Sequence, residues 1–302
     1  MRIVVAIGGN ALIAAGEDGT WDGQLEHARE IAAEVVALRR AGHQLVLTHG
    51  NGPQVGLLAL AMPEQPLDAL TAMTQGQTGY LLETAIGSVD PGVPTATLLT
   101  RVVVDRDDPA FAAPTKPVGP FYAPEEARRL ALEHGWAVAD DAGRGWRRMV
   151  ASPRPLEVLG APQVRTLLDS GVLVIAGGGG GVPVDAGRAG LPGVVDKDRC
   201  SAELALAVGA DLLILLTGVP RVAIDYGTRW ERELERITVS DADRALSEGE
   251  FPAGSMGPKI ESARHFVEGG GHAVITTPGH LRAAVDGDDG TWVVPDEEAV
   301  SA

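Results

Sequence analysis

Lysine is nearly absent from this chain of 302 residues. Of its 25 lysines and arginines, only Lys116, Lys197 and Lys259 are lysine. Cysteine is rarer still. Cys200 stands alone, so no intrachain disulfide can form, which fits a reducing compartment. No run approaches the roughly 18 apolar residues of a membrane span. The apolar start Met1–Ile7 stops at Gly8-Gly9-Asn10, too short for a signal-peptide core of about 7–15 residues. A cytoplasmic protein is expected. Positive charge is also scarce. With 41 acidic side chains the net charge is −16, a field that repels nucleic-acid phosphates and anionic membranes. Neither is expected as a partner.

Familiar nucleotide motifs are missing too. No Gly-Lys dipeptide occurs, so there is no P-loop. In the run Gly177–Gly181, the third glycine of a G-x-G-x-x-G fingerprint would fall on Val182, Pro183 or Val184. Pro183 also argues against a helix opening there, which disfavours a Rossmann dehydrogenase. No protein-kinase His-Arg-Asp signature and no Cys/His metal spacing is found, and no residue is assigned as a metal ligand.

What is present reads as a soluble α/β protein of two domains, or one large one. Hydrophobic residues make up 45% and charged residues 22%, which rules out wholesale disorder. Short apolar runs alternate with helical periods. Strands are expected at 2–7, 44–48, 172–176, 211–216 and 272–276. Helices are expected at 23–41, 67–88, 198–208 and 258–268, and 94–104 is β-rich. Residues 105–148 differ in composition, carry a charged helix near 124–134, and read as an excursion from the sheet.

Three strands run into glycine turns: Gly8-Gly9-Asn10, Gly50-Asn51-Gly52 and Gly177–Gly181. In open α/β sheets, ligands bind outside the carboxyl ends of the strands. Glycine there lets backbone N–H groups approach a phosphate. Any one loop is equally well a tight turn; three on one edge suggest a site.

The three lysines sit in turn and helix-start contexts: Pro114-Thr115-Lys116-Pro117, Val195-Asp196-Lys197-Asp198 and Gly257-Pro258-Lys259. A bias toward arginine explains the shortage, and it makes the survivors informative. Arginine is a wide planar fork, whereas lysine is a compact point charge. Phosphoryl transfer between two anions must overcome repulsion of about 4 kcal/mol for unit charges 4 Å apart at an effective dielectric near 20. Point cations and a magnesium ion suit that task. Asp198 reads either as orienting the lysines or hydrated metal, or as capping its helix. His49 reads as shaping its turn through a local hydrogen bond, and Cys200 and Ser201 as packing residues.

The chain resembles the carbamate kinases, a branch of the amino acid kinase fold. The resemblance rests on Ile7-Gly8-Gly9-Asn10-Ala11, Thr48-His49-Gly50-Asn51-Gly52-Pro53-Gln54-Val55-Gly56 and Met73-Thr74-Gln75-Gly76. It continues through Pro114–Phe121, Asp141-Ala142-Gly143-Arg144-Gly145-Trp146-Arg147, Gly178–Val184, Asp196-Lys197-Asp198 and Pro252–Lys259. It implies a three-layer αβα sandwich on a mainly parallel sheet with a protruding lid subdomain, and a homodimer.

By the resemblance, residues 1–210 form an acceptor lobe, with a lid at about 105–148, and 211–302 a nucleotide lobe. Gly8, Gly9, Asn10, Gly50, Asn51 and Gly52 would cradle carbamate or carbamoyl phosphate. Lys116, Lys197 and Lys259 would neutralise the transferring phosphoryl, with Asp198 holding them. Thr217, Gly218, Tyr226, Ser255, Met256, Gly257 and Pro258 would bind ATP or ADP, which brings Mg²⁺. The chain departs from the family pattern at Pro220, at Thr228-Arg229-Trp230 and at Gly177. Trp230 reads as covering a pocket edge or as surface packing. A related kinase for another small acid, or a binding module without turnover, are the competing readings.

Overall fold

The apolar run at the start of the chain forms the central strand of a twisted sheet in the computed structural model. The structure describes residues 1–13, 19–141, 143–251, 254 and 256–297, with Asn10 described for its backbone alone. Ser255 of the expected nucleotide set lies outside these residues, as do Ala142, Pro252 and Ala253 of the quoted motifs.

In chain order the first half contains β1 (Arg2–Ile7), α1 (Trp21–Arg40), β2 (Gln44–His49), α2 (Gly52–Ala61), α3 (Leu67–Val89), β3 (Thr95–Thr97) and β4 (Arg101–Val104). Then come β5 (Lys116–Tyr122), α4 (Pro124–His134), β6 (Ala137–Asp140), β7 (Trp146–Val150), β8 (Pro155–Val158), α5 (Ala161–Asp169), β9 (Leu173–Ile175) and β10 (Val182–Val184). The remainder is α6 (Lys197–Val208), β11 (Leu212–Leu216), β12 (Val222–Ile224), β13 (Arg232–Leu234), β14 (Arg236–Thr238), α7 (Val239–Glu248), α8 (Met256–Glu268), β15 (His272–Thr276), α9 (Leu281–Asp286) and β16 (Thr291–Val294).

Eight strands make one sheet in the order β14-β16-β15-β11-β1-β2-β9-β3. All neighbours are parallel except β15 and β16. Successive side chains of a strand point to opposite faces. Val4 and Ala6 of β1 therefore join a core with α5, α6, α7 and α8. Ile3, Val5 and Ile7 join a second core with α1, α3 and α9. Both faces are covered, which is why the parallel strands read as unbroken apolar runs. The result is the expected three-layer αβα sandwich.

The chain reverses its progress across the sheet at β1, with β2 on one side and β11 on the other. A crevice opens at such a switch point, outside the carboxyl ends of the strands. The glycine turns after β1, β2 and β9 all lie on that edge.

The β-rich stretch 94–104 divides between two sheets. β3 closes one end of the main sheet, while β4 lies between β10 and β8 in a small one. The excursion forms an antiparallel sheet, β5-β7-β6, so its strands run from 116 to 150 rather than beginning at 105. It is rooted on α2 through Val118 and Val150, which pack with Val55 and Ala59. The closest approach is glycine on glycine. A Cβ on Gly56 would lie 1.9 Å from Gly119 Cα, so neither chain could come so near with a side chain between them.

Candidate active site

α6 starts at Lys197 because Asp196 caps it. Asp196 Oδ1 accepts from the backbone N–H of Asp198 (2.9 Å) and of Arg199 (3.3 Å), a favoured N-cap arrangement. The capping role that the sequence left open for Asp198 therefore falls to Asp196. Asp198, freed from it, turns its carboxylate inward. Oδ1 pairs with Lys197 Nζ, and Oδ2 pairs with Lys259 Nζ at 2.9 Å. Lys259 stands in the first turn of α8, 61 residues further on. Lys116 reaches the same place from the start of β5, with its Nζ 2.8 Å from Asp196 Oδ2. Three ammonium groups thus face two carboxylates, leaving one net positive charge in an acidic protein.

Burial acts against the charges of Lys197, Lys259, Asp198 and Asp196, and their neighbours decide the outcome. Lys197 is pulled down from 10.5 to about 8 by burial, with repulsion from Lys259 adding and Asp198 opposing. For Lys259, burial is outweighed by Asp198, and its pKa rises. Burial likewise fails to raise Asp198, which Lys197 and Lys259 hold below the usual carboxylate range. Asp196 lies well below that range, because Lys116 outweighs its burial. Asp198 is therefore a fixed anion between two cations.

The glycine turns close around Lys197. A Cβ on Gly50 would lie 2.9 Å from Gly9 N and 3.7 Å from Lys197 Cδ, so the first two loops interleave beside the lysine. Asn51 occupies the N-cap position of α2 but caps nothing. Its Nδ2 donates instead to Thr74 Oγ1 at 2.9 Å. Among the described residues that leaves the first amides of α2 without a side-chain acceptor, an arrangement that favours an anion. Gly178 and Gly179 press on His49 and Asn51, where a Cβ would fall 2.4 Å from His49 Nε2 and 2.3 Å from Asn51 Nδ2 respectively. Gln75 fixes the third loop by donating to Gly178 O at 2.8 Å and to Thr100 O at 3.0 Å.

His49 behaves as expected, its Nδ1 donating to Gly50 O at 3.0 Å. Burial lowers its pKa to about 4, with Lys197 adding to the effect and the Gly50 bond opposing it. Ser201 does more than pack. Its hydroxyl donates to Lys197 O at 2.7 Å and is bonded to Thr48 Oγ1 at 2.6 Å, tying α6 to β2. Cys200 is buried among apolar neighbours.

Of the expected nucleotide residues, Thr217 and Gly218 follow β11 on the same edge, next to Gly8, whose Cβ would meet Leu216 O at 3.5 Å. Met256, Gly257 and Pro258 share the first turn of α8 with Lys259. Tyr226 is 69% exposed in the hairpin loop between β12 and β13, where no described contact joins it to the lysines. Trp230 is exposed in the same loop, with the Arg229 guanidinium 4.5 Å from its ring centroid.

Sequence reasoning missed Asp196, although it quoted the string containing it. It also missed Glu261, whose carboxylate pairs with Arg199 at 2.7 Å and with Arg154, bracing α6 against α8 beside the lysines. Three glycine turns and three lysines come together at the switch point, an arrangement suited to transferring a phosphoryl group between anions. Residues 1–277 match the amino acid kinase family. The carbamate kinase of Pyrococcus horikoshii is 44% identical, over 97% of this chain and 99% of that protein. Two solved carbamate kinase structures from Giardia lamblia each cover 98% of both chains. The AMP-PNP complex is 39% identical with a TM-score of 0.88, and the citric acid complex 38% identical with a TM-score of 0.91. The chain belongs to the amino acid kinase family and, within it, to the carbamate kinases.

Proposed function

We propose that the chain interconverts ATP and carbamate with ADP and carbamoyl phosphate. The observation that carries this reading is Asp198 bridging two buried lysines beside two interleaved glycine turns. In the direction of phosphorylation, an oxygen of carbamate attacks the γ-phosphorus. The bond to the β–γ bridging oxygen breaks, and its electron pair leaves with ADP. Carbamate is already an anion, so no general base is needed. Lys197 and Lys259 neutralise the charge that spreads over the phosphoryl oxygens, with Lys116 added from the excursion. The scale of such an interaction is about 4 kcal/mol for a unit pair 4 Å apart at an effective dielectric near 20.

Gly8, Gly9, Asn10, Gly50, Asn51 and Gly52 hold the acceptor in this reading. Thr217, Gly218, Tyr226, Met256, Gly257 and Pro258 serve the nucleotide in this reading, and Ser255, expected with them, lies outside the described residues. Residues 1–210 and 211–302 divide these tasks across one continuous sheet, and the excursion serves as the lid. Among the described residues, no group of three or more His, Cys, Asp or Glu could hold a metal ion. Both oxygens of Asp198 are taken by ammonium groups. This donor set fits Mg²⁺ that arrives on the nucleotide phosphates and keeps much of its water.

A homodimer and a cytoplasmic location belong to the same reading. Exposed Met73 and Tyr80 on α3, with Leu99 nearby, give a second copy an apolar surface to cover. Among the described residues, no helix is long and apolar enough to cross a membrane. The test is ATP formed from ADP, Mg²⁺ and carbamoyl phosphate, beside a panel of other acyl phosphates. Carbamoyl phosphate hydrolyses unaided, so ATP must be counted. Transfer only from another acyl phosphate would reassign the acceptor.

A further inference from the structure

Among the described contacts, Lys116 is the one side chain of the reaction that Asp196 touches, and Asp196 stands where the excursion meets the helix bearing Lys197 and Asp198. Its two oxygens face different elements. Oδ1 takes the N–H groups of Asp198 and Arg199 in α6. Oδ2 takes the Lys116 ammonium at 2.8 Å. Both side chains are largely covered, 17% exposed for Asp196 and 23% for Lys116. Lys116 opens β5, the first strand of the excursion, and pairs in register with Val150 at the end of β7.

A cap needs only an acceptor, and serine, asparagine and aspartate serve about equally. The charge of Asp196 is therefore spare for capping and is used on Lys116. A like charge, Lys197, lies in the same site. Without an anion between them, Lys116 would be driven outward to water. Among the described residues Lys116 has no second carboxylate: Asp198 is shared by Lys197 and Lys259.

We propose that Asp196 is a positioning residue that fastens the excursion to α6 and so holds Lys116 in register with Lys197 and Lys259. The inference rests on the carbamate kinase reading for its consequence in catalysis, while the fastening itself is a property of the folded chain. Asp196 acts through Lys116 and touches no reacting atom.

The test uses the full chain. Asp196→Asn keeps a capping oxygen but removes the charge. Hydrogen exchange should quicken about tenfold or more over residues 116–122 and stay as in the parent over 197–208, with the melting temperature little changed. Turnover in ATP formation should fall about tenfold or more, with KM for ADP unchanged. Lys116→Met, which leaves the cap untouched, should quicken the same amides, and the double variant should exchange no faster than either single one.

Unchanged protection of 116–122 in Asp196→Asn would overturn the inference, leaving Asp196 as a helix cap only. So would additive loosening in the double variant. If Asp196→Asn does not fold, Lys116→Met alone decides, since parent-like protection of 116–122 there also overturns it. An absence of ATP formation in the parent chain would sink the functional reading, whereas the exchange measurement would still report on the fastening.

Discussion

Lys259 Nζ lies 2.9 Å from Asp198 Oδ2, and that contact joins the first turns of two helices 61 residues apart in the chain. Because Asp198 also holds Lys197, one carboxylate sets the spacing of two cations. Removing one partner from a buried ion pair typically costs about 3–5 kcal/mol, since a charge is left behind. The site is therefore built to exist with all its members.

The pH dependence should expose Lys197. Burial lowers its pKa to about 8 in the free protein, and the protonated form is the one that neutralises phosphoryl charge. kcat/KM for carbamoyl phosphate should fall about tenfold per pH unit above 8. kcat should hold to higher pH, because a bound phosphoryl group favours the ammonium. Initial rates of ATP formation between pH 6.5 and 10 test this, and a flat kcat/KM up to pH 9.5 would contradict it.

His49 should make the fold acid-sensitive. Its pKa falls from 6.5 in the unfolded chain to about 4 in the folded one. Between those values the unfolded chain binds a proton that the folded chain does not. Stability is thus lost as the pH drops from 6.5 to 4, by about 3 kcal/mol in total at roughly 1.4 kcal/mol per pKa unit. Urea unfolding across that window should show the slope, and His49→Gln should flatten it. An equal slope in both proteins would assign the acid sensitivity elsewhere.

Much of this was legible beforehand, for physical reasons. β1, β2, β9, β11 and β15 are buried on both faces, so each reads as an apolar run. The three lysines stood out because almost every other cation is arginine. The excursion strands were illegible. Lys116–Tyr122 contains two prolines and a glycine and pairs only with its own subdomain. α2 was hidden behind Gly52-Pro53, which reads as a turn until Asn51 is seen to begin a helix. The role of Asp196 turned on a single residue. With the helix begun at 198, the cap falls on the wrong aspartate.

Gly56→Ala should loosen the root of the excursion. The new methyl would lie 1.9 Å from Gly119 Cα and 2.3 Å from Gly119 N. Overpacking of this kind costs about 1–3 kcal/mol, and Lys116 lies three residues before Gly119. Both melting temperature and turnover should fall. Gly87→Ala, on the exposed side of α3 with nothing within 4 Å of its Cβ, serves as the control. It should be neutral or stabilising by up to about 1 kcal/mol. Equal melting temperatures for the two variants would refute the close approach.

Cys200 should be silent in the native state. Burial pushes its thiol up to about 12, with Asp196 and Glu203 adding, and it has no exposed surface. A thiol reagent should label nothing in the native protein at pH 8 and one thiol per chain after denaturation. Rapid native labelling would show that the packing around α6 opens.

The most direct test of the central claim is ATP formation from carbamoyl phosphate and Mg-ADP by the parent chain beside Lys197→Arg and Lys197→Ala. The parent should make ATP. Lys197→Arg should stay folded and lose about 10²–10³ in rate, because a wide fork cannot replace a point cation between crowded oxygens. Lys197→Ala should lose at least as much. Turnover by Lys197→Arg close to that of the parent would contradict the account.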